Sequence, residues 1–210
     1  MSQKAFSVYA VPDDAPAKTE TMGTKPKFWF SRGGPMWLFK ATRPGQGEHW
    51  AEVVSAALAE KLSLPHAHYE LARWQGTSGV VTPRFTPDGY DLVHGNELLA
   101  ERDPTYPREG ARYIRTREHT IAAVRGVVGA AGVALPIGWT PPSGITTVPD
   151  VFGGYLLLDA WIGNTDRHHE DCRVQRLESL DPGFRVEAYV QRPRARSALF
   201  LNAGDPNPSG

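Results

Sequence analysis

Acidic, basic and amide side chains are concentrated in one segment, Ile162–Asp171, which has the sequence IGNTDRHHED. A turn that caps a helix accounts for one or two such polar residues, so this density indicates a functional loop. Transfer of a phosphoryl group from ATP requires one carboxylate beside the attacking hydroxyl and an oxygen ligand for magnesium nearby. Asp166 and Asp171 are candidates for these two roles.

The separation of the two aspartates matches that of a known catalytic loop. In the kinase pattern H-R-D-x-x-x-x-N, the aspartate orients the attacking hydroxyl and the asparagine binds magnesium. Asp171 follows Asp166 at the same distance along the chain. An aspartate therefore stands where this pattern has an asparagine, and a carboxylate can also bind magnesium through oxygen.

The same segment resembles the catalytic loop of HipA-like kinases, I-G-N-x-D-R-H-x-x-N, which follows an aliphatic helix. Residues 162–164 and 166–168 match that pattern. The resemblance implies that Asp166 is the catalytic base, that Asp171 is a magnesium ligand, and that Asn164 and His168 belong to the catalytic site, with His168 shaping the loop. It also implies ATP and Mg²⁺ as the cofactors.

A nucleotide-binding half is implied ahead of this loop. HipA-like kinases have a lysine on a strand before a helix that bears a glutamate, and Lys40 and Glu52 occupy matching places. In protein kinases such a lysine binds the α- and β-phosphates and pairs with the helix carboxylate. The resemblance also makes Gly79–Phe85 the strand that enters the adenine-binding hinge, which assigns Arg84 and Phe85 to nucleotide binding.

The residues alone leave other interpretations open in this half. A lysine that ends a strand is usually a solvated edge charge, and a helix glutamate is usually an exposed helix former. Glu52 is expected opposite the apolar stripe of its helix, so Glu48 and Glu60 are alternatives for the same role. The pair Gly33-Gly34 fits a hairpin turn better than a phosphate-binding loop.

Hydrophobic periodicity predicts the elements that position these residues. Two aromatic-rich runs, Lys27–Phe30 and Met36–Lys40, predict a strand hairpin. Apolar residues at three- and four-residue spacing predict a helix over Glu48–Leu64. The runs His68–Trp74 and Gly79–Phe85 predict a second strand pair. The predicted order is strand, strand, helix, strand, strand.

The second half is predicted to be mainly helical. Apolar faces predict helices over Ile114–Val128 and Val151–Trp161, the second of them buried, with a proline-rich loop at Pro136–Pro149 between them. Glu101–Gly110 is predicted to be a loop or a lobe junction. The predicted fold class is therefore α+β, a two-lobed protein-kinase-like fold with a small antiparallel-sheet N-lobe and an incomplete helical C-lobe.

Three regions follow from this interpretation. Residues 1–100 are the predicted nucleotide-binding N-lobe, in which residues 1–22 are expected to be poorly ordered. Residues 101–171 are the predicted helical C-lobe with the catalytic loop. Residues 172–210 form an arginine- and proline-rich tail that is expected to be divergent and disordered, and it lacks the phrase P-x-[FY]-D that carries a second magnesium-binding aspartate in HipA-like proteins.

These features leave three functional hypotheses. The first is an ATP- and magnesium-dependent serine/threonine kinase that acts on an unidentified protein substrate. The second, motivated by the missing P-x-[FY]-D phrase, is a catalytically incomplete remnant that binds nucleotide or a protein. The third is a metal-dependent hydrolase around His168 and Asp171. The HipA-like resemblance adds an antitoxin-like protein as a candidate partner, in a toxin–antitoxin setting.

Composition narrows the classes of partner. The chain has 23 Lys and Arg against 23 Asp and Glu, so no net field draws it to nucleic acid or to an anionic membrane, and neither is an expected partner. The single cysteine, Cys172, excludes an intrachain disulfide framework and a multi-cysteine zinc site. Neither a signal peptide nor a membrane span is predicted, and a reducing compartment, the cytoplasm, is expected.

Overall fold

The computed structural model describes residues 6–16, 18–19, 26–86, 89–107, 117–130, 133–136, 138–164, 173–177 and 186–187. The first half contains β1 (Val8–Ala10), β2 (Lys18–Thr19), β3 (Lys27–Ser31), β4 (Met36–Ala41), α1 (Glu48–Lys61), β5 (Glu70–Trp74) and β6 (Thr77–Pro83). The predicted order of strand, strand, helix, strand, strand is confirmed in β3 to β6. The helix ends earlier than predicted, at Lys61.

The strands of this half form one sheet in the order β1-β5-β6-β4-β3-β2. Neighbouring strands are antiparallel except for β1, which runs parallel to β5 with Val8 opposite Leu71. The sequence predicts poor order for residues 1–22, whereas the structure places Val8–Ala10 in the sheet. The difference arises because this short strand is held by a partner far along the chain.

The two faces of the sheet differ because side chains alternate along each strand. One face is an aromatic core, which the buried Val11 after β1 helps to cover. Its buried members include Phe28, Phe30, Phe39, Ala72 and Val81. On the other face, Val80 of β6 packs against Val53 of α1. Lys40 lies next to Phe39 in β4 and directly opposite Val80, so its side chain is on the face that α1 covers.

Glycines close both hairpins of this sheet. Gly33 and Gly34, both at positive φ, form the turn between β3 and β4, as the hairpin interpretation predicts. The β5–β6 turn has Gln75 at φ 45° and Gly76 at φ 78°. Two consecutive residues at positive φ are typical of a type I′ turn, whose twist matches that of the flanking strands.

The second half contains β7 (Tyr90–His94), α2 (Gly95–Arg102), α3 (Ile121–Val128), β8 (Val133–Ala134), α4 (Val148–Ile162), β9 (Arg173–Leu177) and β10 (Val186–Glu187). Its strands form a second sheet in the order β7-β9-β10-β8. Two of these strands, β9 and β10, fall in the region that the sequence predicts to be a disordered tail. Glu101 and Arg102 end α2 rather than lying in the predicted loop.

Helix α3 begins later than predicted because Thr120 caps it. The Thr120 side chain accepts a hydrogen bond from the Ala123 backbone N–H at 3.1 Å, which satisfies a donor that the first turn leaves without an intrahelical partner. The earlier part of the predicted helix, residues 114–116, lies outside the described residues.

Helix α4 begins inside the predicted proline-rich loop. Pro149 stands in the first turn, where its missing N–H costs no hydrogen bond, and Thr147 and Asp150 form a capping box. The prediction of a buried helix holds for one side of α4 only, because Leu157 is 62% exposed and Trp161 is 59% exposed. The apolar run is continuous, but only one side of the helix packs on a neighbour.

The buried side of α4 joins the two halves of the molecule. It packs against the end of α1 in a core cluster of Ala59, Leu64, Val151, Tyr155 and Leu158. The Tyr155 hydroxyl donates to the Pro65 carbonyl, and Trp139 Nε1 donates to the Ser63 carbonyl at 3.1 Å. The segment after α1 is thus attached to the helical half by packing and by hydrogen bonds. No helix within the described ranges is long and apolar enough to cross a bilayer.

Arg32 holds the N-terminal strand against the first hairpin, and its replacement by lysine tests this role. The guanidinium carbon lies 3.9 Å from the Tyr9 ring centre and 4.4 Å from that of Trp37, and Nη1 donates to Glu70 at 3.0 Å. Lysine cannot reproduce planar stacking between two rings. We expect Arg32→Lys to lower the free energy of unfolding in urea by about 1 kcal/mol. The exposed Arg73 provides the control: if Arg73→Lys costs as much, the stacking contributes nothing specific.

Candidate functional site

A buried ion pair connects the first sheet to α1. Lys40 Nζ donates to Glu52 Oε1, and the two residues are only 7% and 6% exposed. Charged side chains are rarely buried unless they are paired, because leaving water costs a lone charge several kcal/mol. The structure therefore brings together the lysine and the glutamate that the sequence pattern singles out.

Helix α1 turns polar and small residues toward the interior together with Val53 of its apolar stripe. The sequence places Glu52 opposite the apolar stripe, whereas the structure buries it, together with Glu48, Ala51, Val53, Ser55 and Ala59. Trp50, which belongs to the predicted apolar stripe, is 36% exposed. The signal in the sequence is the spacing of glutamates and small residues at helical intervals, which a search for apolar periodicity overlooks.

The alternative glutamates occupy other places. Glu48 is buried in the first turn of α1, where Arg43 Nη1 lies 3.9 Å from Glu48 Oε1 and the Arg43 backbone N–H lies 3.5 Å from Glu48 Oε2. Glu60 is exposed. Of the three candidates, Glu52 is the one whose carboxylate meets Lys40.

The backbone around Lys40 requires a glycine on the neighbouring strand. A Cβ at Gly79 would lie 2.4 Å from the Lys40 carbonyl oxygen and 2.9 Å from the Phe39 ring. Real Cβ atoms do not approach backbone oxygen so closely, so Gly79 allows β4 and β6 to pair at this point. Sequence reasoning missed this residue, although a glycine inside a strand pattern is a signal of close backbone approach.

A second cationic residue shares the face that carries Lys40. Lys27 on β3 is directly opposite Lys40 in the antiparallel register, so their side chains project from the same face of the sheet. Like charges placed directly opposite each other repel, and a nearby anion reduces that repulsion. Glu52 supplies one such negative charge.

Arg84 and Phe85 follow β6 directly. The Arg84 backbone N–H donates to the Met36 carbonyl at 2.8 Å, which continues the pairing with β4, while its side chain is exposed. Phe85 is half-buried and packs against the cluster that contains Val53 and Val80. The structure therefore places both residues at the exit of β6.

The residues that lead into the predicted catalytic loop lie at the end of α4. Gly163 ends the helix in the left-handed conformation, with φ 66° and ψ 29°. Asn164 Nδ2 donates to the buried Asp159 Oδ1 at 2.7 Å, and the Asn164 backbone N–H donates to the Asp159 carbonyl at 2.8 Å. Asp166, His168 and Asp171 lie outside the described residues. Within the described ranges no group of three or more potential metal ligands is present.

One oxygen of the ion pair has unused hydrogen-bonding capacity. Glu52 Oε2 is buried and has no hydrogen-bond partner among the described residues. Buried carboxylate oxygens without a partner are uncommon, because each loses its hydration without compensation. This atom is therefore placed to accept a further donor beside the Lys40 ammonium.

Comparison with known proteins reveals a shared fold. No family model matches the chain, and no curated protein matches it. Among solved structures, the chain is similar to CtkA, a proinflammatory kinase from Helicobacter pylori, with a TM-score of 0.64 at 14% sequence identity. The match covers 93% of this chain and 62% of the CtkA chain. The chain thus has a kinase-like α+β fold, and it spans less than two thirds of the length of that neighbour.

Removal of one partner of the buried pair should destabilise the protein more than removal of both. Lys40→Met leaves the Glu52 carboxylate buried without its counter-ion, which we expect to lower the free energy of unfolding by about 3–5 kcal/mol. The double variant Lys40→Met with Glu52→Leu removes both charges and should recover most of that loss. Urea denaturation measures both values, and a double variant no more stable than Lys40→Met would contradict a coupled pair.

Asp150 makes the stability of α4 dependent on pH. Hydrogen bonds from the Thr147 side chain, and then from the Thr146 and Thr147 backbone N–H groups, lower the pKa of the Asp150 carboxyl below its ordinary value. A lowered folded-state pKa contributes stability that is present above the unfolded pKa and is lost as the pH falls through the folded pKa. We expect Asp150→Asn to be less stable than the unmodified protein at pH 6, with the gap narrowing below about pH 4. A gap that is constant from pH 6 to pH 2.5 would show that the charge of this cap is irrelevant.

Proposed function

We propose that this chain is an ATP- and magnesium-dependent phosphotransferase that transfers the γ-phosphoryl group of ATP to a serine or threonine hydroxyl of a protein. The observation that carries the proposal is the buried Lys40–Glu52 pair between the sheet and α1. In protein kinases an ion pair of this kind must be in place for activity. The kinase-like fold and the sequence Ile162–Asp171 support the same conclusion.

The chemistry of the pair suits a nucleotide phosphate. An ammonium group is a compact positive charge whose N–H donors suit phosphate oxygens, and Glu52 Oε1 accepts a hydrogen bond from it. We infer that Lys40 binds the α- and β-phosphates and that Glu52 holds its ammonium in position. Arg84 and Phe85, at the exit of β6, would lie beside the adenine.

The acidic residues of the loop would carry the chemical step. Asp166 would accept a hydrogen bond from the substrate hydroxyl and take its proton as the oxygen attacks the γ-phosphorus, while the bond to the β-phosphate oxygen breaks and ADP leaves. Asp171 has the carboxylate oxygens that suit magnesium, which would neutralise charge on the phosphates when bound. Asn164 and His168 would fix the path of the loop between α4 and these carboxylates.

A second candidate function is supported by the sequence after Asp171. The P-x-[FY]-D phrase that supplies the second magnesium-binding aspartate in the HipA-like pattern is absent from the printed sequence. A chain that uses Lys40 and Glu52 to bind nucleotide without transferring phosphate would need no such residue. This alternative is a nucleotide- or protein-binding module with a kinase-like fold.

Asp166→Asn separates these two candidates. The amide cannot accept the hydroxyl proton but has nearly the volume of the carboxyl, so we expect label transfer from γ-labelled ATP to fall about 100-fold or more. The thermal shift produced by ATP and magnesium should remain. The exposed Asp14 offers a control of the same chemistry, and Asp14→Asn should transfer label at the unmodified rate.

Three outcomes would contradict the kinase proposal or its assignment of the base. Full activity of Asp166→Asn would show that another group serves as the base. An unmodified protein that shows a magnesium-dependent thermal shift with ATP but transfers no label to itself or to a generic protein substrate would favour the binding module. Stoichiometric zinc in the purified protein would instead favour the hydrolase hypothesis.

A further inference from the structure

We propose that Asp159 is a positioning residue for the catalytic loop, acting by holding Asn164 at the point where the chain leaves α4. The inference rests on the proposed function, because it concerns how Asp166 is brought to its site. Asp159 is the buried acidic residue of the last turns of α4, at 6% exposure. It lies seven residues before Asp166 in the chain.

The contacts between Asp159 and Asn164 fix both the backbone and the side chain. The Asp159 carbonyl oxygen accepts hydrogen bonds from the backbone N–H groups of Gly163 and Asn164. The Asp159 carboxylate also accepts from Asn164 Nδ2 at 2.7 Å. Three hydrogen bonds to Asp159 therefore hold Gly163 and Asn164 in place, and Asn164 stands two residues before Asp166.

Helix termination alone does not explain the carboxylate. Gly163 in the left-handed conformation, with its backbone hydrogen bonds, is sufficient to end a helix. A buried carboxylate adds a desolvation cost that an apolar residue at the same place would avoid. Its hydrogen bond to an amide is charge-assisted and directional, which suits the task of orienting Asn164 rather than that of ending the helix.

Orientation at this point matters because the base has to meet the substrate hydroxyl within hydrogen-bonding distance. A displacement of about 1 Å in a reacting group can reduce the rate about 100-fold. If the Asn164 side chain is released, the φ and ψ dihedrals of Asn164 can change, which would alter the approach of the chain to Asp166. The result would be slower phosphoryl transfer with little change in nucleotide binding, since Lys40 and Glu52 lie on other elements.

The experiment compares two substitutions at Asp159 with a control on the same helix. Asp159→Leu keeps a branched side chain but has no acceptor, and we expect it to lower kcat by about 10- to 100-fold with KM for ATP unchanged. Asp159→Asn retains an acceptor oxygen for Asn164 Nδ2 and should keep most of the activity. Asp150→Ala removes an exposed carboxylate at the opposite end of α4. It should lower the melting temperature but leave kcat per folded molecule unchanged.

Exchange of the residues at positions 159 and 164 tests the inference even if Asp159→Leu does not fold. Asn164→Asp places two carboxylates together, which repel, and should lose most of the activity. Adding Asp159→Asn restores a donor and an acceptor in exchanged positions, and kcat should recover at least tenfold relative to Asn164→Asp alone. No recovery would overturn the inference, as would an Asp159→Leu variant with normal kcat.

Hydrogen exchange gives a readout that does not depend on kinase activity. The Asn164 amide should exchange faster in Asp159→Leu than in Asp159→Asn, while amides of α1 and the first sheet remain as in the unmodified protein. If the unmodified chain transfers no phosphate but this difference is found, the proposed function fails and Asp159 still positions Asn164. Equal exchange at Asn164 in both variants would reject the positioning role whatever the activity.

Discussion

The buried Lys40–Glu52 ion pair imposes the strictest geometric demand on the described structure. Two charges removed from water are stable only when their geometry is good, and loss of either leaves an uncompensated charge. The ion pair therefore constrains both β4, which carries Lys40, and α1, which carries Glu52. It selects the face that α1 turns inward, and it requires β4 to present Lys40 on the side away from the aromatic core. Gly79 allows the close pairing of β6 with β4 at this position.

Helix α1 connects the ion pair to α4 in the second half of the molecule. Glu52 lies in its middle, whereas Ala59, near its C-terminal end, packs with Tyr155 and Leu158 of α4. The same α4 carries Asp159 and ends at the residues that lead into the acidic segment. A shift of α1 along its axis would therefore disturb both the ion pair and the packing of α4. The aromatic face of the first sheet does not share this coupling, because its cluster is closed by residues of the sheet and by Val11.

Local sequence patterns were sufficient to predict the central strands of the first sheet. They did not predict its edge strand β1 or the buried face of α1. The runs at β3 to β6 are aromatic or β-branched and are separated by turn residues, so period and composition agree. Strand β1 has only a few residues and is held by β5 from far along the chain, which no local pattern encodes. Apolar periodicity predicted the helix α1 but not its buried face, because two of the buried residues, Glu48 and Glu52, are charged. A pattern based on apolar residues places charged residues toward solvent.

The candidate site was predictable to a different extent in each half. Lys40 and Glu52 were found through the order of strand and helix, and their contact required coordinates, because twelve residues of separation through a loop do not define a distance. Asn164 was found through its motif, whereas Asp159 was missed because one acidic residue in an apolar helix has no distinctive spacing. The fold similarity, at 14% identity, concerns the scaffold and not the side chains. The chemical proposal therefore depends on the residues themselves: a buried lysine paired with a carboxylate, and an acidic sequence segment that follows Asn164.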